Sequence, residues 1–67
     1  MVPPEIAQHA AVLLARNGYT VDRVHDVDCE GPQAVIAYEH KGKAKTGFVT
    51  VDEGKVSVEV VDRWDLP

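Results

Sequence analysis

Thr46-Gly47-Phe48-Val49-Thr50-Val51-Asp52-Glu53-Gly54-Lys55-Val56-Ser57-Val58-Glu59-Val60-Val61 alternates on both sides of Glu53-Gly54. A two-residue turn at that pair sets Val51 against Val56, Val49 against Val58 and Gly47 against Val60. Thr50 then meets Ser57 on the opposite side, a polar pair suited to a wet face. The stretch predicts a β-hairpin with one apolar face.

The preceding segment tests this. With Gly42-Lys43 as a second two-residue turn, Ile36 faces Val49, Tyr38 faces Gly47 and Ala34 faces Val51. Both registers gather Ala34, Ile36, Tyr38, Val49, Val51, Val56, Val58 and Val60 on one side. A half-buried sheet requires that agreement, because a one-residue slip inverts every side chain. Upstream, Tyr19 to Asp28 is valine-rich, but Val21, Val24 and Val27 recur every three residues. A bulge reconciles that spacing with a strand. Cys29-Glu30-Gly31-Pro32 reads as a loop.

The N-terminal segment has a different period. Pro3-Pro4 places proline where a helix needs no N–H, and Glu5 complements the helix dipole in the first turn. Ile6, Ala10, Leu13 and Asn17 form one stripe, flanked by Leu14 and His9. Arg16 and Asn17-Gly18 supply the stop. The expected helix runs from about Pro4 to Asn17. The expected fold is α+β: one N-terminal helix packed on one face of a four-stranded antiparallel sheet, in the order α-β-β-β-β. Residues 1–67 are expected to make a single domain, with 62–67 as a short C-terminal tail.

Size and charge limit the function. A chain of 67 residues buries only about 60% of the surface its unfolded form exposes. The net charge of −4 opposes general binding to polyanions, which depends on Lys and Arg displacing counterions. A lone cysteine, Cys29, allows no internal disulfide, whereas small secreted chains usually carry several. No apolar run reaches the length of a membrane span, and Met1-Val2-Pro3-Pro4-Glu5 lacks a basic leader region. The expected setting is cytoplasmic.

No catalytic set emerges. Asp26-Val27-Asp28-Cys29-Glu30-Gly31 imitates the start of a calcium loop, but Ala37 stands where the closing glutamate belongs. His25, Asp26, Asp28, Cys29 and Glu30 fall short of a structural zinc pattern, and His9 and His40 have no reason to converge with them. Cys29 between Asp28 and Glu30 lacks the positive neighbours that activate a thiolate. Ser57 has no nucleophile-elbow context, and the glycines form no phosphate loop. The expectation is a non-enzyme without metal or cofactor.

Charge is unevenly spread. Asp22, Asp26, Asp28 and Glu30 cluster around Arg23, while Lys41, Lys43 and Lys45 occupy a stretch without acids. The lysines suit a solvated hairpin tip that discourages edge pairing, or weak phosphate contact. Direct nucleic-acid binding is disfavoured; an RNA-reading sheet interleaves its aromatics with basic residues, and here Glu39, Glu59 and Asp62 are the neighbours.

The sheet face away from the helix carries Val35, Ala37, Glu39, Thr46, Phe48, Thr50, Ser57, Glu59 and Val61, followed by Trp64. One helix covers one face, so this set is expected to meet water. Val35, Phe48, Glu59, Val61 and Trp64 are the candidate protein-binding residues, as aromatics with a polar rim make binding hot spots. Removing ~400 Å² of apolar surface from water contributes on the order of 10 kcal/mol before association costs. That scale suits a protein partner or a homodimer through the open face.

The helix-then-strands order, with Val51-Asp52-Glu53-Gly54-Lys55-Val56 at the last hairpin, is similar to PepSY-type domains, small α-plus-β modules often found outside the cytoplasm and thought to restrain peptidases. The similarity extends over one hairpin and the element order. In size and charge the chain also resembles phage or mobile-element anti-defence inhibitors, anti-CRISPR proteins among them. The expected function is a non-catalytic protein-interaction module, an inhibitor or adaptor. The alternative is nucleic-acid-related: phosphate contact through Lys41, Lys43 and Lys45, or acidic mimicry through Asp26, Asp28 and Glu30.

Overall fold

A computed structural model describes residues 2–64. Helix α1 (Pro4–Arg16) is followed by strands β1 (Arg23–Glu30), β2 (Gln33–His40), β3 (Lys43–Asp52) and β4 (Lys55–Val61). The strands form one antiparallel sheet in sequence order, and α1 packs on it chiefly against β1. The α-β-β-β-β order is as the sequence predicts.

The helix ends are built locally. Pro3 offers its carbonyl to the N–H groups of Ile6 and Ala7, at 3.1 and 3.0 Å. At the other end Gly18 takes the left-handed conformation (φ 90), while Asn17 keeps a negative φ and donates its side-chain amide to the Leu13 carbonyl. The helix therefore stops one residue earlier than expected. Ala10 and Leu14 are its buried residues, while Ile6 shares the sheet-facing side with Ala10 and Leu13 but is 47% exposed.

Two readings of the turns are corrected. The β2–β3 hairpin turns at Lys41-Gly42 rather than Gly42-Lys43, with positive φ at both residues (52 and 74). That is the requirement of a type I′ turn, whose twist matches the strands. Ile36 consequently lies opposite Gly47 and Ala34 opposite Val49. Each partner moves by two residues, so the faces are unchanged. The β3–β4 register is as expected, with Val51 opposite Val56 and Gly47 opposite Val60. In β1, Cys29 and Glu30 belong to the strand, and the turn to β2 is only Gly31-Pro32. The expected irregularity in β1 falls between Val24 and Asp26.

The core comprises Ala10, Leu14, Ile36, Tyr38 and Val49, with Leu13, Tyr19, Val21, Val24, Val27, Ala34, Val58 and Val60 packed around it. Gly47 permits close approach: a Cβ there would sit 2.9 Å from Leu14 Cδ2. Val51 and Val56, expected in the core, are 47% and 48% exposed. Both lie on the helix side, but α1 sits over the β1 end of the sheet and leaves the tip of the β3–β4 hairpin uncovered. Among the described residues, no helix is long and apolar enough to cross a membrane.

Candidate protein-binding face

Directly opposed residues in an antiparallel sheet share a face. Ile36 and Tyr38 point into the core, so Val35, Ala37 and Glu39 project from the other side. The register brings Asp28 and Phe48 beside Val35, Asp26 and Thr46 beside Ala37, and Glu59 beside Phe48. Phe48 is thus the apolar centre of the face, half-buried between Val35 and Glu59.

The face is less open than its sequence implies. Val35, Ala37 and Thr46 are 5%, 2% and 0% exposed. The chain beyond β4 accounts for one end of it. Thr46 Oγ1 donates to the Arg63 carbonyl at 2.6 Å, and Trp64 Nε1 donates to the Tyr38 carbonyl at 3.4 Å. The indole also meets the His25 ring edge-on, with centroids 5.1 Å apart. His25 in turn donates through Nε2 to the Glu39 carboxylate at 2.6 Å. The segment therefore leads from β4 across β3 and β2 to β1. Trp64 remains 53% exposed, so it caps one end of the face while presenting much of its own surface. Residues 65–67 of the expected tail lie outside the described residues.

The five candidate binding residues share this side of the sheet but differ in access. Glu59 and Trp64 are exposed, Phe48 and Val61 half-buried, and Val35 buried as their support. Of the charged candidates, Asp26, Asp28 and Glu30 lie opposite Ala37, Val35 and Gln33, so all three project from this face along β1. Alternate residues of a strand stand about 6.8 Å apart, giving a regular row of carboxylates. Glu39, Asp52 and Glu59 add to it, against Arg23 and Lys55. The face is acidic with an aromatic centre.

The three lysines do not form one patch. Lys41 and Lys43 are exposed at the β2–β3 turn, whereas Lys45 lies opposite Tyr38 and binds Asp62 at 2.6 Å. Their hydrogen bond and charges raise the Lys45 pKa above its ordinary value and lower that of Asp62. Lys45 is therefore a fixed cation, already paired. Around it lies a recess of about 250 Å³ lined by Tyr19, Tyr38, His40, Val60 and Asp62 among others. Burial raises the Tyr38 phenol above its ordinary pKa, which keeps it protonated. A protonated phenol beside a paired ammonium offers hydrogen bonds but no activated nucleophile.

Cys29 lies on the helix side, opposite Ala34, and is exposed. It borders an apolar groove of about 380 Å³ between Ile6, Leu13, Val27 and Val49. His9 also lines that groove, while His25 and His40 lie elsewhere, near Glu39 and Asp22 respectively. Glu39 and Thr46 lie on the face the sequence assigns them, and His25 stands out in the sequence only as a metal-ligand candidate. What the sequence does not show is that Thr46 holds the Arg63 carbonyl and that His25, bound to Glu39, meets the Trp64 ring. The irregular valine spacing around His25 was the available signal, since a bulge re-aims the inserted side chain.

No protein-family model, curated protein or solved structure matches the chain.

Proposed function

We propose that the protein is a non-catalytic interaction module, a small inhibitor or adaptor, and that its face opposite the helix binds a protein partner with a basic surface. The observation that carries this is a half-exposed Trp64, anchored by its N–H to the Tyr38 carbonyl, on the same side as Phe48 and a row of carboxylates. An aromatic held in place loses little conformational freedom on binding. Acidic residues around it steer a basic partner and reject acidic ones. The setting proposed for this encounter is the cytoplasm.

The same charge argues against two copies meeting face to face. Asp26, Asp28, Glu30 and Glu59 of each would confront those of the other. A heterologous partner suits the face better. The alternative of nucleic-acid mimicry is favoured by one feature, the regular carboxylate row of Asp26, Asp28 and Glu30. It predicts that nucleic acid competes with this protein for the partner, and that neutralising those acids weakens binding. The dispersal of Lys41, Lys43 and Lys45 gives no support to direct phosphate contact.

A photo-crosslinking phenylalanine analogue at position 48 tests the face in cells of the source organism. The reading predicts a discrete crosslinked partner from position 48 and none from position 12, on the exposed side of α1. The reverse pattern would overturn it.

A further inference from the structure

The two edges of the sheet are protected unequally. β1 has an irregularity at Val24/Asp26, carries Asp26, Asp28 and Glu30, and lies against α1. Bulges, charge and covering elements are the usual defences of an edge strand. β4 runs from Lys55 to Val61 in unbroken register with β3, without bulge or proline. Its other side has no strand neighbour among the described residues.

The backbone of β4 is set for pairing. The Glu53-Gly54 turn has positive φ at both residues (49 and 78) and closes on the Asp52–Lys55 pair. In such a hairpin the closing pair exchanges both hydrogen bonds, and the pattern alternates thereafter. The N–H and C=O groups of Val56, Val58 and Val60 therefore point away from β3. On the side chains, Val56 and Val58 project to the helix side, and Lys55, Ser57 and Glu59 to the acidic face.

We infer that β4 pairs antiparallel with β4 of a second copy, about a twofold axis at Ser57. Charge complementarity selects the occupant and the register. With Ser57 opposite its counterpart, Lys55 lies opposite Glu59 of the second copy, and Glu59 opposite its Lys55. Val56 lies opposite Val58 in both copies, and their outward main-chain groups meet. A shift of two residues places Lys55 opposite Val61 or Ser57 and loses both ion pairs. A further shift sets Glu59 against Glu59 or Lys55 against Lys55. A one-residue shift puts valines against charges. The exposed Val56 gains an apolar neighbour, and both acidic faces stay free on one side of a continuous sheet. This inference does not depend on what binds those faces.

Sedimentation velocity from micromolar to millimolar protein tests it, with far-UV circular dichroism confirming that each variant is folded. Wild type is expected to dimerise reversibly. Lys55→Glu and Glu59→Lys each set two like-charge pairs across the axis, and each is expected to weaken dimerisation about tenfold or more. Mixing the two variants restores both ion pairs, since the acid introduced at position 55 of one chain meets the lysine introduced at position 59 of the other. The mixture is expected to recover a dimer of wild-type strength. It also guards against misfolding, since only folded chains can be rescued by mixing. A wild type that stays monomeric at millimolar concentration overturns the inference. So does a dimer that both single variants leave unchanged, or a mixture no stronger than its components.

Discussion

The Trp64 indole donates its N–H to the main-chain carbonyl of Tyr38, 3.4 Å away, across the face that α1 does not cover. A residue beyond the last strand is thereby tied to the second strand. Trp64→Ala removes that bond and the contact with His25. The expected cost is about 1 kcal/mol, as the bond is long and one side of the ring is wet. Urea unfolding followed by circular dichroism measures it. No loss of stability would show that the tail does not hold the face.

Gly47 lies directly under Leu14, where the sheet has no side chain to hold the helix away. A valine at position 47 would press its Cβ to 2.9 Å from a Leu14 methyl that is fully buried and cannot swing into solvent. Gly47→Val is expected to destabilise by about 1–3 kcal/mol. Adding Leu14→Ala should make the second change less costly than it is alone, a coupling visible in a double-mutant cycle. Strict additivity would contradict the packing.

How much of this was legible can be judged at the same positions. The pairing of Val51 with Val56 and of Val49 with Val58 was readable, because Glu53-Gly54 admits one short turn. At the β2–β3 turn the glycine fits either turn position, and local pattern alone favours the first. The structure puts it second and places Lys41 at φ 52. The faces survived because the partners shifted by an even number of residues. Exposure of Val51 and Val56 was not readable, as alternation marks a face but not how far a helix reaches across it. Likewise, Trp64 was recognisable as an unplaced aromatic. Its anchors at Tyr38 and His25 are contacts distant in sequence, which no local pattern encodes.

Turn chemistry gives a stabilising prediction. Glu53 holds a positive φ of 49, a region in which Asn is several-fold enriched over most residues. Glu53→Asn is expected to stabilise by about 0.5 kcal/mol, raising Tm by roughly 2–4 °C in a domain this small. Thermal unfolding at neutral pH is the check.

The Lys45–Asp62 pair predicts an acid response. The Lys45 hydrogen bond and charge hold the Asp62 carboxyl below its usual 3.8 in the folded chain. A depressed folded pKa contributes stability above the unfolded value and loses it as pH falls through the folded one. Wild type should therefore lose stability below about pH 4 more steeply than Asp62→Asn. The two are expected to differ little in slope at neutral pH. Parallel pH profiles would remove the ion pair from the account.

Tyr38 predicts the alkaline counterpart. Burial raises its phenol above the ordinary 10.0, so the unfolded chain releases that proton first. Its share of stability is complete below about pH 10 and is lost as pH rises through the higher folded value. Tyr38→Phe should unfold less steeply on the alkaline side. An equal alkaline slope in both proteins would contradict the buried phenol.

The central claim is that the side bearing Phe48, rather than the helix, meets a partner. Capture from source-cell lysate with immobilised wild type, Phe48→Asp and Val12→Asp, all verified as folded, tests it most directly. The account predicts a basic protein retained by wild type and Val12→Asp and lost by Phe48→Asp. A partner retained by Phe48→Asp and lost by Val12→Asp would contradict it.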